Sequence, residues 1–215
     1  MYKVPLPLIA DAYTIGSEDL ESTDAINNSE YYLTFRKFPF EKEPMLFSEG
    51  DNRIVFSGLQ RQIRSLFGTP VTHADIDESI KFLKDRCVGP KGFSNFPFSE
   101  KKWREVVDIY GGYVPLVISG LPEGSVCYPN EPVIRVKNAV PGFGQFAAMF
   151  EASLVKVWAR TARLTAARHW LEKMTGQIMS VDKCSYAEAQ HIARMSVHDF
   201  GDRAGMTDDE SCSLG

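Results

Sequence analysis

The distribution of apolar and polar positions predicts three elements in the first third of the chain. Residues 31–36 are aromatic and β-branched, which is typical of a strand, and the polar, acidic stretch 17–30 before them predicts a loop. Apolar residues then recur at helical spacing between positions 55 and 67. This spacing predicts a helix over 54–67 that stops at Gly68.

Two capping patterns mark the starts of later helices. Thr72 followed by Asp75 resembles a capping box, and Ser185 with Glu188 repeats the pattern further along the chain. Between these two starts, the apolar spacing predicts a short helix over 100–110.

From residue 116 the pattern changes to short apolar runs separated by turn residues. Runs at 116–119, 126–128 and 133–136 predict three strands, and the turns between them predict antiparallel hairpins. A long helical stretch follows over 143–174, with Gly176 as its predicted end.

A strand predicted near 195–200 follows the last helix, so the later part of the chain alternates helix and strand. The dipeptide Pro141-Gly142 separates the two patterns. The sequence therefore predicts an α+β domain over 1–142 and a helix–strand domain over 143–215.

Composition and charge indicate an ordinary globular chain. Its 215 residues are 44% apolar and 24% charged, and the net charge of −4 does not support a nucleic-acid or membrane partner. The opening residues lack the apolar run of a secretion signal, and no run approaches membrane-spanning length. We therefore expect a cytoplasmic location, no metal site, and free thiols at Cys87, Cys127, Cys184 and Cys212.

The candidate chemistry lies in the segment 197–205, Val-His-Asp-Phe-Gly-Asp-Arg-Ala-Gly. It places His198, Phe200 and Arg203 just past a predicted strand, where α/β folds hold their sites. An aromatic face can hold a planar pyridine ring, and an arginine suits a phosphate, a sugar oxygen or a ring carbonyl. Taken singly, the same residues are a structural histidine, a core ring and a surface charge.

Two further pairs suit the same kind of ligand. Asp11 and Tyr13 supply a carboxylate and an aromatic ring, with a helix cap and a packing tyrosine as the alternative interpretation. Arg36 and Lys37 place two cations at a strand end, which suits phosphate, although such residues also commonly face solvent. The sequence contains no Gly-rich phosphate loop and no Gly-x-Ser-x-Gly elbow.

Six segments carry a resemblance when they are taken together. They are Leu8-Ile-Ala-Asp-Ala-Tyr13, Tyr32-Leu-Thr-Phe-Arg36, Val55-Phe-Ser-Gly-Leu-Gln60, Tyr113-Val-Pro-Leu116 with Leu121-Pro-Glu-Gly-Ser-Val126, His198-Asp-Phe-Gly201 with Arg203, and Glu210-Ser-Cys-Ser-Leu-Gly215. In this order they resemble the N-terminal portion of the nicotinate/nicotinamide phosphoribosyltransferase family, and most of all its nicotinamide phosphoribosyltransferases.

The resemblance implies a reaction. The pyridine nitrogen of nicotinamide attacks the anomeric carbon of phosphoribosyl pyrophosphate, pyrophosphate leaves, and nicotinamide mononucleotide forms for NAD salvage. An oxocarbenium-like state is stabilised by a magnesium–pyrophosphate leaving group. The resemblance further implies Mg²⁺ as cofactor, stimulation by ATP at a site outside this segment, and a homodimer with composite sites.

The resemblance also implies roles for individual residues. Phe200 would stack on the pyridine, and Tyr13 of the partner subunit would cover its other face. Arg203 would contact the carbonyl substituent of the ring or the ribose phosphate region, and Asp11 would organise the same pocket. Arg36 would hold phosphate across the dimer interface.

The chain departs from the family pattern at several positions. His198 would be a structural residue near the site, and no catalytic residue is implied within this segment. The family often carries Lys and His where this chain has Thr14 and Ser17, and Ala204 is an insertion in the last motif.

The choice between two substrates follows from other departures. Asp202 places a negative charge beside the ring pocket, which favours neutral nicotinamide over the nicotinate anion. Segments 35–40 and 128–132 resemble the nicotinate-using branch instead. Nicotinate phosphoribosyltransferase activity is therefore the first alternative.

Family members continue much further than this chain, and their later half completes a β/α barrel. The resemblance thus implies an α+β N-terminal domain followed by the start of an incomplete α/β (TIM-like) barrel, in a fragment that is inactive alone. A truncated, non-catalytic paralogue that binds or regulates a full-length partner is the second alternative.

Overall fold

The computed structural model describes residues 4–15, 22–39, 50–86 and 97–198. Within them the elements follow in the order α1 (Ala12–Ile15), α2 (Thr23–Asn27), β1 (Glu30–Thr34), β2 (Ile54–Val55), α3 (Leu59–Phe67), α4 (His73–Arg86), α5 (Glu100–Tyr110), β3 (Leu116–Gly120), β4 (Val126–Cys127), β5 (Pro132–Asn138), α6 (Gly144–Leu154), α7 (Val157–Asp182) and α8 (Tyr186–Met195).

The chain folds into two compact units, and each unit is built from three segments of the chain. Unit 1 contains Met1–Leu33, Leu59–Gly120 and Pro132–Lys156. Unit 2 contains Thr34–Gly58, Leu121–Glu131 and Val157–Gly215.

Unit 1 holds a three-stranded sheet in the order β1-β5-β3, in which β3 and β5 run antiparallel. Side chains of β5 alternate, because successive residues of a strand point to opposite faces. Ile134 and Val136 are buried, whereas Arg135 and Lys137 between and beside them are half-buried. The register pairs Leu116 with Asn138.

The core of unit 1 forms around α6. Phe146 and Phe150 of α6 are buried with Ile76 of α4 and Trp103 of α5. The ring of Trp103 meets that of Phe146 edge-on, with 4.8 Å between centroids. Such edge-to-face pairs add to the free energy gained by burying the rings.

Unit 2 combines a two-stranded antiparallel sheet, β2-β4, with the long helix α7 and the shorter helix α8. Ala189 and Ala193 lie four residues apart on α8 and are fully buried. Residues at this spacing share one helix face, so α8 buries its alanine face against α7.

Three predictions from local signals are confirmed. The N–H of Asp75 donates to the Thr72 hydroxyl while the Asp75 carboxylate accepts the N–H of Thr72, which caps α4. Ser185 and Glu188 form the predicted capping box at the start of α8. The predicted helix 100–110 matches α5.

Two predictions in the first third of the chain are wrong in part. The stretch 17–30 was expected to be a loop, but the Ser22 hydroxyl accepts the N–H of Ala25 and caps α2. The expected helix 54–67 begins only at Leu59, because β2 precedes it and pairs with β4.

The predicted hairpins and the long predicted helix also need correction. Strand β4 pairs with β2 and not with its neighbours in sequence. Strands β3 and β5, which flank β4 in sequence, pair with each other. The predicted helix 143–174 is two helices, α6 and α7, and α7 continues through Gly176 to Asp182. A glycine inside a helix costs only about 1 kcal/mol relative to alanine, so it does not have to end one.

The start of a TIM-like barrel is not confirmed. The strand expected near 195–200 is wrong as far as the structure describes it, because Met195 is the last residue of α8 and 196–198 lie in no strand. The described part of 143–198 is helical where it is regular. The fold is a mixed α/β one, and the domain bounds 1–142 and 143–215 stay a prediction.

Candidate functional site

Asp11 and Tyr13 lie together at the surface of unit 1. The side chain of Tyr13 is 75% exposed, so it does not pack into the core of the unit. The charge of Asp11 and a hydrogen bond to its carboxylate raise the pKa of Tyr13, and the charge of Glu151 raises it further. The phenol of Tyr13 therefore lies close to negatively charged side chains.

Tyr13 lies on the short helix α1, and Asp11 immediately precedes this helix. Ile15 is buried in the same core cluster as Phe150 of α6. The Thr14 hydroxyl donates to the backbone carbonyl of Asp11 at 2.8 Å, and the Ser153 hydroxyl donates to the carbonyl of Ile9 at 3.1 Å. These contacts fix the buried side of α1, which leaves Tyr13 on its outer side.

Arg36 is exposed on unit 2, just after β1 ends. Lys37 beside it is also exposed, whereas Phe35 and Phe38 on either side are buried. The backbone carbonyl of Phe35 accepts the N–H of Asn130 at 2.7 Å. Two buried rings thus hold the segment and turn both cations outward.

The last motif lies mostly outside the described residues. His198 is exposed after α8, on unit 2. Phe200, Asp202, Arg203 and Ala204 lie outside the described residues. Of the predicted site residues, the structure brings Asp11 and Tyr13 together on unit 1 and places Arg36 and His198 on unit 2.

Two of the sequence motifs meet in unit 2. The N–H of Phe56 donates to the carbonyl of Ser125 at 2.9 Å, and the N–H of Gly124 donates back to Phe56 at 2.8 Å. The N–H of Gly58 donates to the carboxylate of Glu123 at 2.6 Å. The motifs at 55–60 and 121–126, which are far apart in sequence, therefore build one local structure.

Gly58 suits this position for two reasons. Its φ of +98° lies in the region that side chains disfavour. A Cβ there would also lie 2.8 Å from Cδ of Arg160 on α7. Substitution at this turn would therefore disturb its contact with the helix.

A polar stripe on α7 was not predicted. Thr161 exchanges hydrogen bonds with the backbone N–H and carbonyl of Ser57, at 3.2 and 3.0 Å. The Thr165 hydroxyl accepts the N–H of Val55 at 2.9 Å, and Nε2 of His169 donates to the carbonyl of Arg53 at 2.9 Å.

The spacing of the polar side chains along α7 nearly equals the spacing of alternate backbone positions along the strand that they cover. Four helical residues rise about 6 Å, and two strand residues span about 6.6 Å, so every second backbone position meets every fourth residue of α7. A recurrence of hydrogen-bonding side chains at four-residue intervals was the available signal in the sequence. This recurrence is indistinguishable from an ordinary polar helix face unless the partner strand is known.

An ionic network extends from the end of this stripe. Arg53 donates to both oxygens of Asp51, at 3.0 and 2.7 Å, and to Glu172 at 2.8 Å. Hydrogen bonding from Arg53 holds the pKa of Asp51 at about 2. The carboxylates in turn raise the pKa of Arg53, so this network is charged at neutral pH.

The described residues form neither a metal-binding cluster nor a membrane-spanning helix. No group of three or more His, Cys, Asp or Glu side chains there could hold a metal ion. In the same part of the chain, no helix is long and apolar enough to cross a membrane. Burial raises the pKa of the Cys127 thiol to about 11, which leaves it protonated at neutral pH.

No protein-family model matches the chain. A nicotinamide phosphoribosyltransferase from Xanthomonas campestris pv. campestris (strain 8004) is 28% identical over 164 residues. That match covers 76% of this chain and 32% of the relative, so the chain spans about a third of its length.

A structural likeness agrees with this match. The crystal structure of human nicotinic acid phosphoribosyltransferase superposes with a TM-score of 0.52 at 21% identity. It covers 79% of this chain and 29% of the human chain. At this identity the likeness shows a shared fold.

Proposed function

We propose that this chain, which is similar to a nicotinamide phosphoribosyltransferase over about a third of that protein's length, supplies the N-terminal part of a pyridine phosphoribosyltransferase of NAD salvage. The observation that carries the proposal is the 28% identity over 164 residues to a nicotinamide phosphoribosyltransferase. In the proposed reaction, nicotinamide displaces pyrophosphate from phosphoribosyl pyrophosphate to give nicotinamide mononucleotide. The chain alone is inactive in this proposal.

The proposed base site joins residues of two subunits of a homodimer. Phe200 stacks on the pyridine, Arg203 contacts its carbonyl substituent or the ribose phosphate region, and the partner's Tyr13 covers the other face. The 75% exposure of Tyr13 supports this role, because its ring is available to a ligand or a partner. Asp11, beside Tyr13, organises the same pocket, and His198 supports it structurally.

The proposed phosphate contact is Arg36. Its exposure between two buried phenylalanines supports the role, because the guanidinium is presented outward from a fixed segment. An arginine can offer two parallel N–H donors to a phosphate. Magnesium would enter with phosphoribosyl pyrophosphate and supply charge neutralisation of the leaving pyrophosphate.

Nicotinamide is the proposed base, rather than nicotinate. The charges of Asp11 and Glu151 both raise the pKa of Tyr13, so two carboxylates lie near this ring. A negative surface disfavours the nicotinate anion and tolerates neutral nicotinamide. The predicted position of Asp202 beside the pyridine adds to the same preference.

The test is product formation by an assembled enzyme. The chain is mixed with the C-terminal remainder of the Xanthomonas campestris relative, expressed separately, and mononucleotides are quantified by mass spectrometry. The relative itself, divided at the equivalent position, is the matched control. We expect no product from either piece alone, and more product from nicotinamide than from nicotinate in the mixture.

The outcomes separate the alternatives. Faster product formation from nicotinate assigns the chain to nicotinate use. Failure of this mixture, with activity in the divided control, contradicts the enzyme proposal. If the chain then also binds the intact relative and changes its rate, a non-catalytic regulatory role replaces it.

A further inference from the structure

One face of α7 anchors the segment that presents Arg36. The buried ring of Phe35 lies 4.7 Å from that of Trp158, between centroids. The buried ring of Phe38 lies 5.6 Å from that of His169, edge-on. Arg36, between the two phenylalanines, is exposed. The segment is thus held at both ends by residues of the same helix.

The spacing on α7 explains how both anchors act together. Trp158 and His169 are eleven positions apart in this helix. Eleven residues make about three turns, so both side chains lie on one face, about 16 Å apart along the axis. The orientation of the segment from Phe35 to Phe38 is therefore tied to α7 at two separate points.

His169 is itself held in one orientation. Its side chain is 7% exposed, and its Nε2 donates to the carbonyl of Arg53 at 2.9 Å. Its Nδ1 lies 3.4 Å from a carboxylate oxygen of Asp51, which two hydrogen bonds from Arg53 fix in place. Rotation of the imidazole would break these contacts, so it gives Phe38 a fixed surface.

We propose that His169 is a positioning residue for Arg36, acting through Phe38. The imidazole fixes the ring of Phe38, and this ring fixes the backbone from which the guanidinium reaches its phosphate. The inference rests on the phosphate role proposed for Arg36. His169 itself does not touch the phosphate in this account.

Binding of inorganic pyrophosphate to the chain, measured by isothermal titration calorimetry, tests the inference. We expect Arg36→Ala to weaken binding about tenfold, as loss of a charge-assisted hydrogen bond does. His169→Leu should weaken it about threefold or more, and His169→Gln less, because the glutamine amide can still donate to Arg53. His191→Leu changes an exposed histidine of α8 and should leave the affinity unchanged.

A double variant distinguishes positioning from a general structural role. If His169 acts only through Arg36, Arg36→Ala combined with His169→Leu binds pyrophosphate as weakly as Arg36→Ala alone. Additive losses overturn the inference, as does unchanged affinity in His169→Leu. Should wild-type chain bind no pyrophosphate, with Arg36→Ala indistinguishable from it, the proposed phosphate role fails and the inference fails with it.

A second substitution covers the case in which His169→Leu does not fold. Phe38→Leu keeps an apolar side chain but removes the edge-on ring contact with His169. The inference predicts weaker pyrophosphate binding by this variant, while a cooperative thermal transition shows that the variant is folded. Wild-type affinity in folded Phe38→Leu overturns it.

Discussion

The hydroxyl of Thr165 accepts the backbone N–H of Val55 at 2.9 Å and donates to the carbonyl of Thr161 at 2.7 Å. One buried side chain therefore serves both α7 and strand β2. The other edge of β2 pairs with β4, so the helix covers an edge that a two-stranded sheet would leave open.

Thr165→Val should destabilise the fold by about 1–3 kcal/mol, because the buried N–H of Val55 loses its partner while the shape of the side chain is kept. Urea unfolding followed by circular dichroism measures the loss. Thr175→Val is the matched control, since that buried hydroxyl donates to the carbonyl of Leu171 within its own helix. Equal losses in the two variants would contradict the bridging role.

Gln145→Met should leave the melting temperature unchanged or raise it. Gln145 is 4% exposed, and neither polar atom of its amide has a hydrogen-bond partner among the described residues. Replacing an unpaired buried amide by an apolar side chain of similar size removes a desolvation cost. Asn138→Leu is the contrasting variant, because that side chain makes three hydrogen bonds, and it should lower the melting temperature.

A loss of more than about 1 kcal/mol in Gln145→Met would show that a partner completes this amide in solution. Differential scanning calorimetry on both variants shows directly whether the melting temperature rises or falls.

The predictability of this fold from its sequence depended on the range of the interactions. Thr72 with Asp75, and Ser185 with Glu188, are four-residue patterns whose chemistry is complete within themselves, and both were predicted. The pairing of β2 with β4 joins residues more than seventy positions apart, so helical spacing was the stronger local signal near Ile54.

The candidate site also contains residues that the sequence predicts and residues that it does not. Residue types indicated Asp11, Tyr13 and Arg36, and the exposure of all three agrees with a role at a surface. The stripe from Thr161 to His169 could not be predicted, because its threonines become informative only when the backbone they meet is known. Phe200 and Arg203, outside the described residues, stay predictions.

The network of Asp51 predicts a defined pH dependence of stability. Hydrogen bonding from Arg53 lowers the folded-state pKa of Asp51 to about 2, below the value of about 3.9 expected when unfolded. Its stabilisation is therefore complete at neutral pH and is lost as the pH falls from about 4 through about 2. Urea unfolding across this range should show the free energy of unfolding of wild type approaching that of Asp51→Asn.

Arg53→Gln supplies the control, because it removes the donor that lowers this pKa. A stability difference between wild type and Asp51→Asn that stays constant from pH 6 to pH 2 would contradict the assignment.

The two cysteines among the described residues, Cys127 and Cys184, should differ in reactivity. Cys127 is buried, its pKa is raised to about 11, and its thiol donates to the carbonyl of Ile54 at 3.7 Å. Cys184 is only half-buried. Because the thiolate is the reactive form, iodoacetamide at pH 8 should label Cys184 and spare Cys127, as peptide mass spectrometry can resolve. Equal labelling rates in the folded protein would refute the burial of Cys127.

We propose that Tyr13 contacts the nicotinamide and that Arg36 contacts a phosphate of phosphoribosyl pyrophosphate. The direct measurement is the Michaelis constant of each substrate in the assembled enzyme carrying Tyr13→Ala or Arg36→Ala. Tyr13→Ala should raise that of nicotinamide about 5- to 100-fold, as expected for lost aromatic contact, with a smaller change for phosphoribosyl pyrophosphate. Arg36→Ala should give the reverse pattern, and equal effects of either variant on both substrates would contradict the account.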